Sequence, residues 1–314
     1  MTQYVLAVVL ALFAGPCVQS QTVLGDGPSV TINFDVMRAH GLPVWSNGRF
    51  LILTDNRAGK PRVHVVDRNG YPTSSFALQI PGADRIWISS IGGQPGGGIV
   101  TGGFSWTPDG RESAFLAIAA ADGKTQQAIT TSPYTPYGLA VGPDGTIWTA
   151  GLEMINRREN NPKIDPNYLM VRHFDTTGHL LGGFVPRSSL PEHPLYVSSS
   201  FLVVNRDTVG WLWGNNYFLI SPSGDVQRLV TPGTEHDFIT VGLTGSGSTV
   251  ATTQDSWCRF CTLIDGRWAP IALPQSLAGR KGLYIYGSEG ETMVVRERAI
   301  SPDRFYAHFL PVLR

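Results

Sequence analysis

The stretch Gly138-Leu-Ala-Val-Gly-Pro-Asp-Gly-Thr-Ile-Trp-Thr-Ala-Gly151 decides the fold. Apolar and small residues alternate on each side of a Pro-Asp-Gly turn, so it predicts two short antiparallel strands. Weaker copies are found at Pro43–Thr54, Ile86–Phe104 (with a Gly-rich turn at 92–98), Leu195–Gly214, Phe238–Thr253 and Gly282–Arg296. A second kind of string follows most of them: an alternating run closed by a turn glycine. Examples are Arg62–Gly70, Phe115–Gly123, Met170–Gly178, Phe218–Gly224 and Cys261–Gly266. Each predicts a third strand running into a hairpin. A unit therefore holds four strands over roughly 40–50 residues, the period of a propeller blade.

Six such units fit, starting near residues 40, 84, 136, 193, 236 and 280. No run of helical period interrupts them. The expected fold is all-β: a single domain over 21–314, built as a six-bladed β-propeller of four-stranded antiparallel blades. The segment 29–36 precedes the first unit and is expected to supply the strand that closes the last blade, because a ring must pair its two ends. The polar stretch 153–168 predicts a long surface loop in blade three.

Composition agrees. Only 15% of the 314 residues are charged, and glycine (36) and proline (22) are abundant. Lys plus Arg and Asp plus Glu both number 24. A neutral chain offers no electrostatic footprint for nucleic acid. The N-terminus differs in kind: Val5–Gly15 is apolar but too short to span a bilayer. Val18-Gln-Ser20 follows it with small residues where signal peptidase needs them. Residues 1–20 thus predict a signal peptide and an exported protein, periplasmic or extracellular, with no transmembrane segment in the mature chain. Pro16 directly before Cys17 disfavours cleavage as a lipoprotein.

Tyr137–Gly151 resembles the NHL-type repeats of six-bladed propellers. It is also similar to the gluconolactonase/senescence-marker family and to streptogramin-lyase-like propellers, and Leu42–Asp55 resembles the opening blade of gluconolactonases. The resemblance implies the propeller framework. For the lactonases it also implies a divalent metal held in the channel by Glu, Asn and Asp. Here Ala39-His-Gly-Leu42 has no Glu, and Tyr137 stands where the family has Asn. No lactonase metal ligand is carried over.

In a propeller the ligand usually meets the loops that lead into the innermost strands. Those loops read Arg38-Ala-His40, Ala83-Asp-Arg85, Tyr134-Thr-Pro-Tyr137, Glu192-His193, Glu235-His-Asp237 and Arg280-Lys281. The candidate ligand-binding residues are therefore His40, Arg85, Tyr137, Glu192, His193, Glu235, His236 and Asp237. His40, His193 and His236 fall at equivalent points of three blades, a set suited to a divalent metal or to acid–base work. The same groups would also serve as a hydrated polar rim. Two functions follow: a binding or scaffold propeller with a small-molecule or protein partner at one face, or a metal-assisted hydrolase or lyase. The remaining histidines, His64, His173, His179 and His308, fall in strands or turns, where packing or surface roles are expected. Trp45, Trp87, Trp148, Trp211 and Trp213 fall on expected strands and read as blade packing. Phosphate loops, dinucleotide fingerprints and nucleophile elbows are missing.

The sequence Trp257-Cys-Arg-Phe-Cys261 superficially resembles a redox motif, but a thioredoxin-type cysteine needs a helix N-terminus and none is expected there. No second cysteine pair completes a zinc site, and no His follows for haem attachment. Cys258 and Cys261 are expected either to brace a turn as a disulfide in an oxidising compartment or to remain a free thiol pair.

Overall fold

The computed structural model describes residues 22–34, 43–54, 61–153, 167–190, 201–214, 216–221, 223–230, 238–253, 258–297 and 304–313. Among them are 25 strands, two single 3₁₀ turns and no α-helix. The chain opens with β1 (Val23–Leu24) and β2 (Ser29–Asn33). Blade one is β3 (Val44–Ser46), β4 (Arg49–Thr54), β5 (Arg62–Asp67) and β6 (Pro72–Ala77). Blade two is β7 (Arg85–Gly93), β8 (Ile99–Trp106), β9 (Glu112–Ala119) and β10 (Gln126–Thr130). Blade three is β11 (Tyr134–Val141), β12 (Ile147–Glu153), β13 (Leu169–Phe174) and β14 (Leu180–Pro186).

Blade four holds β15 (Phe201–Val204), β16 (Val209–Trp213), β17 (Asn216–Ile220) and β18 (Val226–Val230). Blade five holds β19 (Phe238–Leu243), β20 (Thr249–Thr253), β21 (Phe260–Ile264) and β22 (Arg267–Pro270). Blade six takes three strands from the C-terminus, β23 (Leu283–Glu289), β24 (Thr292–Glu297) and β25 (Arg304–Leu313). Its fourth comes from the other end of the chain: β2 pairs with β25 from Ser29↔His308 to Asn33↔Arg304, and β1 extends the same edge at Val23↔Leu313. All pairings are antiparallel, in six separate sheets. The first strand of each blade packs against the first strand of the next, and β23 returns to β3. The ring is thus closed by packing between blades, and β1 and β2 cover the outer edge of β25 that would otherwise stand open.

Local chemistry explains the punctuation. The five closing glycines, Gly70, Gly123, Gly178, Gly224 and Gly266, all have positive φ, between 72° and 94°, a conformation that costs a side-chain-bearing residue. Aspartates set the same turns: Asp67 Oδ1 accepts from the Asn69 and Tyr71 amides, and Asp175 Oδ1 from those of Thr177 and His179. Each carboxylate accepts from amides at a three-residue turn that is closed by the backbone bonds Asp67 N to Tyr71 O and Asp175 N to His179 O. Burial follows the interfaces between blades. Leu51, Val63, Ile88, Ile99 and Phe115 fill the space between blades one and two. Val171, Trp211 and Phe218 do so between three and four. Ile32, Trp45, Phe50 and Phe305 lock the closing strand onto blade one. At the start of β7 alternation turns Ile86 and Ile88 toward blade one and Arg85 and Trp87 to the opposite side.

Candidate functional site

The connections between fourth and first strands and between second and third strands share one face of the ring, the loop face; the turns between first and second and between third and fourth strands share the other, the turn face. Of the residues singled out for the channel mouth on the loop face, His40, Glu192, His193, Glu235, His236 and Asp237 lie outside the described residues. Arg85 and Tyr137 lie within them. No cluster of three metal-ligating side chains occurs among the described residues.

Arg85 starts β7, and cross-strand register determines what it meets. Arg85 is opposite Trp106, Trp87 is opposite Phe104, and Trp106 is opposite Glu112 on β9. Directly opposed residues share a side of the sheet. One side of blade two, facing blade three, thus presents Arg85, Trp87, Phe104, Trp106 and Glu112. The rings of Trp87 and Phe104 lie nearly parallel with centroids 6.2 Å apart, and Phe104 meets Trp106 edge-on at 4.8 Å. The Arg85 guanidinium lies 4.9 Å above the Trp106 ring. Trp106 Nε1 donates to Glu112 Oε2 at 2.9 Å. All three rings are only half-buried, and Arg85 is exposed. Trp106 and Glu112 are absent from the candidates chosen by sequence position. Trp87 lies on a strand as expected, but its ring is not sealed in the core.

Two local devices hold this patch in place. Gly103 sits where a Cβ would be 1.9 Å from the Trp87 carbonyl oxygen, so only glycine lets β7 and β8 approach there. The pairing of β7 also slips by one residue between Ile88 and Ser90. The bulged residue, Ser89, donates to Gly102 O at 2.9 Å and to the Pro136 carbonyl, tying blade two to blade three. An equivalent slip in β11, between Pro136 and Gly138, bulges Tyr137. Tyr137 is half-buried; burial raises its phenol pKa above the ordinary value, and the Glu112 carboxylate adds to the rise. The structure therefore links the two described candidates indirectly, through Trp106 and Glu112. Beneath them Tyr134 is fully buried: its hydroxyl donates to Met170 O at 3.0 Å and meets Thr149 Oγ1 at 2.9 Å. Arg172 lies 3.9 Å above the Tyr134 ring and pairs with Glu153 at 2.8 Å.

The turn face carries two clefts. One, of about 430 Å³, lies between blades one and two beside Arg49, Asp67 and Asp122. The other, of about 80 Å³, lies between blades three and four beside Asp144, Trp148, His173 and Asn205. His173 stacks on Trp148 at 3.9 Å, and its buried Nε2 has no hydrogen-bond partner. Burial holds its pKa below the ordinary 6.5, partly offset by the Asp144 charge. In blade five, Cys258, in the connection between β20 and β21, and Cys261 on β21 are joined as a disulfide with a Cα separation of 5.6 Å, both side chains buried.

No protein-family model matches the chain, and no curated protein does. Among solved structures, a streptogramin B lyase superposes with a TM-score of 0.53 at 11% identity, over 93% of this chain and 98% of that one. A structural-genomics protein of unknown function from Bacteroides thetaiotaomicron gives 0.52 at 10% identity, over 92% and 76%. Virginiamycin B lyase from Staphylococcus aureus aligns at 15% identity over 92% of this chain and 100% of its own, with a TM-score of 0.46. At such identities the likeness is one of fold. The chain is a six-bladed β-propeller.

Proposed function

We propose that this propeller is an exported binding protein whose ligand docks at the loop face, against the side of blade two that presents Arg85, Trp87, Phe104, Trp106 and Glu112. The observation that carries the reading is the partial exposure of three adjacent aromatic rings on one side of blade two. Packed blades bury such rings, and a soluble surface rarely leaves them grouped without a partner. A guanidinium at one end and a carboxylate at the other supply orientation. The ligand class that fits is a small molecule with a flat apolar face and polar edges, as in a saccharide or an aromatic acid. The apolar N-terminal segment and the small residues before Gln21 support export.

The test is intrinsic fluorescence titration of mature protein against soluble oligosaccharides and aromatic carboxylates. A saturable response should fall at least tenfold in affinity in Trp106→Ala and Arg85→Ala, with the fold retained by circular dichroism. A ligand found in this way whose affinity is unchanged in both variants would place binding elsewhere. The enzyme alternative, a metal-assisted hydrolase or lyase using His40, His193 and His236, rests on residues outside those described. The streptogramin B lyase likeness supports it only at the level of fold.

A further inference from the structure

On the side of blade six that faces blade five, three side chains from distant parts of the chain form a hydrogen-bonded line. Ser29 Oγ on β2 lies 2.7 Å from His308 Nδ1 on β25. His308 Nε2 lies 3.2 Å from Glu297 Oε2 on β24. Arg280, on the connection leading into β23, holds the same carboxylate through Nη1, at 2.9 Å and 2.7 Å from its two oxygens. Proton placement follows from the partners. An ionised carboxylate can only accept, so Nε2 carries the proton, and Nδ1 is left to accept from the Ser29 hydroxyl. The line is polarised in one direction, from serine to imidazole to carboxylate.

Burial divides the roles. His308 is 5% exposed, whereas Ser29 is open to solvent. Burial holds the His308 pKa below its ordinary value of 6.5; Glu297 raises it in part and Arg280 opposes that. The imidazole is therefore neutral, the state a base requires. Register adds a second point. Phe309 N donates to Pro28 O, so Ser29 and His308 form the following, non-hydrogen-bonded pair, in which side chains approach most closely. The Ser29 amide is thereby turned away from β25, free to donate to an oxygen held against Oγ.

We propose that Ser29 is an activated nucleophile that accepts acyl groups from small activated esters, with His308 as its base and Glu297 as the residue that positions His308. Ser29 Oγ bonds to the ester carbonyl carbon while its proton passes to His308 Nδ1. The alkoxide leaves with that proton, and water attacks the acyl-serine by the same relay to release the carboxylic acid and restore Ser29. The site lies on blade six and shares no residue with the blade-two patch, so it stands or falls independently of the binding reading.

The probes are a fluorophosphonate, which would exchange its fluoride for Ser29 Oγ, and p-nitrophenyl acetate. With intact mature protein, peptide mass spectrometry should find one phosphonylated residue, Ser29, and the ester should give a burst of p-nitrophenolate. Ser29→Ala, at an exposed position, should abolish both. Glu297→Gln, which still accepts a hydrogen bond, should slow labelling at least tenfold while circular dichroism stays native. The wild-type rate should still hold at pH 6.5 and decline only below it, as His308 protonates beside Glu297 and Arg280. No adduct at Ser29, or an adduct formed equally fast in Glu297→Gln and in a folded His308→Gln, would overturn the proposal and leave the line as a brace for ring closure.

Discussion

Replacing Ile32 by alanine tests how the ring closes. Ile32 is fully buried on β2, opposite Phe305, in the cluster that also holds Trp45, Phe50 and Val66. These neighbours come from three places: the N-terminal strand, blade one and blade six. Relaxation around a truncated side chain is limited by aromatic rings already in edge-to-face contact, Trp45 with Phe50 at 4.6 Å and Phe50 with Phe305 at 5.9 Å. The loss should therefore fall mid-range for a buried large-to-small change, about 3 kcal/mol. In a domain of this size each kcal/mol moves the melting temperature by roughly 2 °C, so a fall of about 6 °C is expected. Asn33→Ala, one residue along and exposed, is the control and should stay within about 0.5 kcal/mol of wild type. Paired thermal and urea melts of the two variants measure the difference. If Ile32→Ala melts within a degree of the control, β2 is not seated in blade six and the reasoning fails.

Two further outcomes follow. Gly103→Ala should cost at least about 2 kcal/mol, because its Cβ cannot coexist with the Trp87 carbonyl; if the urea midpoint is unchanged, the close approach of β7 and β8 is wrong. His173 and His308 both have pKa values held below 6.5 by burial. The unfolded chain then binds protons before the folded one does. Their contribution is complete above pH 6.5 and is lost as pH falls from there through the folded-state values. Melting temperature should drop on acidification from pH 7.5 to 5, and His173→Gln with His308→Gln should flatten that slope; an equally steep slope would assign it to other groups.

Much of the fold is legible because propellers repeat. Alternation with Pro-Asp-Gly and Asp-x-x-Gly turns gives strand pairs, and the first strands of the six blades begin at 44, 85, 134, 201, 238 and 283. The turn glycines are informative because positive φ is nearly a private conformation of glycine. Ring closure was also open to argument from the sequence, since Ser29–Asn33 has no other sheet to join and an unpaired edge is costly.

The site was legible only in part, and two kinds of geometry explain the rest. Period-two patterning assigns sides correctly only until the register slips. First strands of four blades slip once, at Ile88/Ser90, Pro136/Gly138, Phe238/Thr240 and Ile285/Gly287. Each slip reverses the side on which later residues point. Arg85 and Tyr137 could be chosen by their place in the repeat, but their link through Trp106 and Glu112 depends on which residue stands opposite which, and nothing local in the sequence states that. His308 is the extreme case. Read along its own strand it is one polar residue in an apolar run; its serine partner lies 279 positions away. Only the closure that draws β2 against β25 brings the hydroxyl to the imidazole. The same closing strand therefore completes the sixth blade and assembles the line of three side chains, so displacing β2 should abolish Ser29 reactivity together with ring stability.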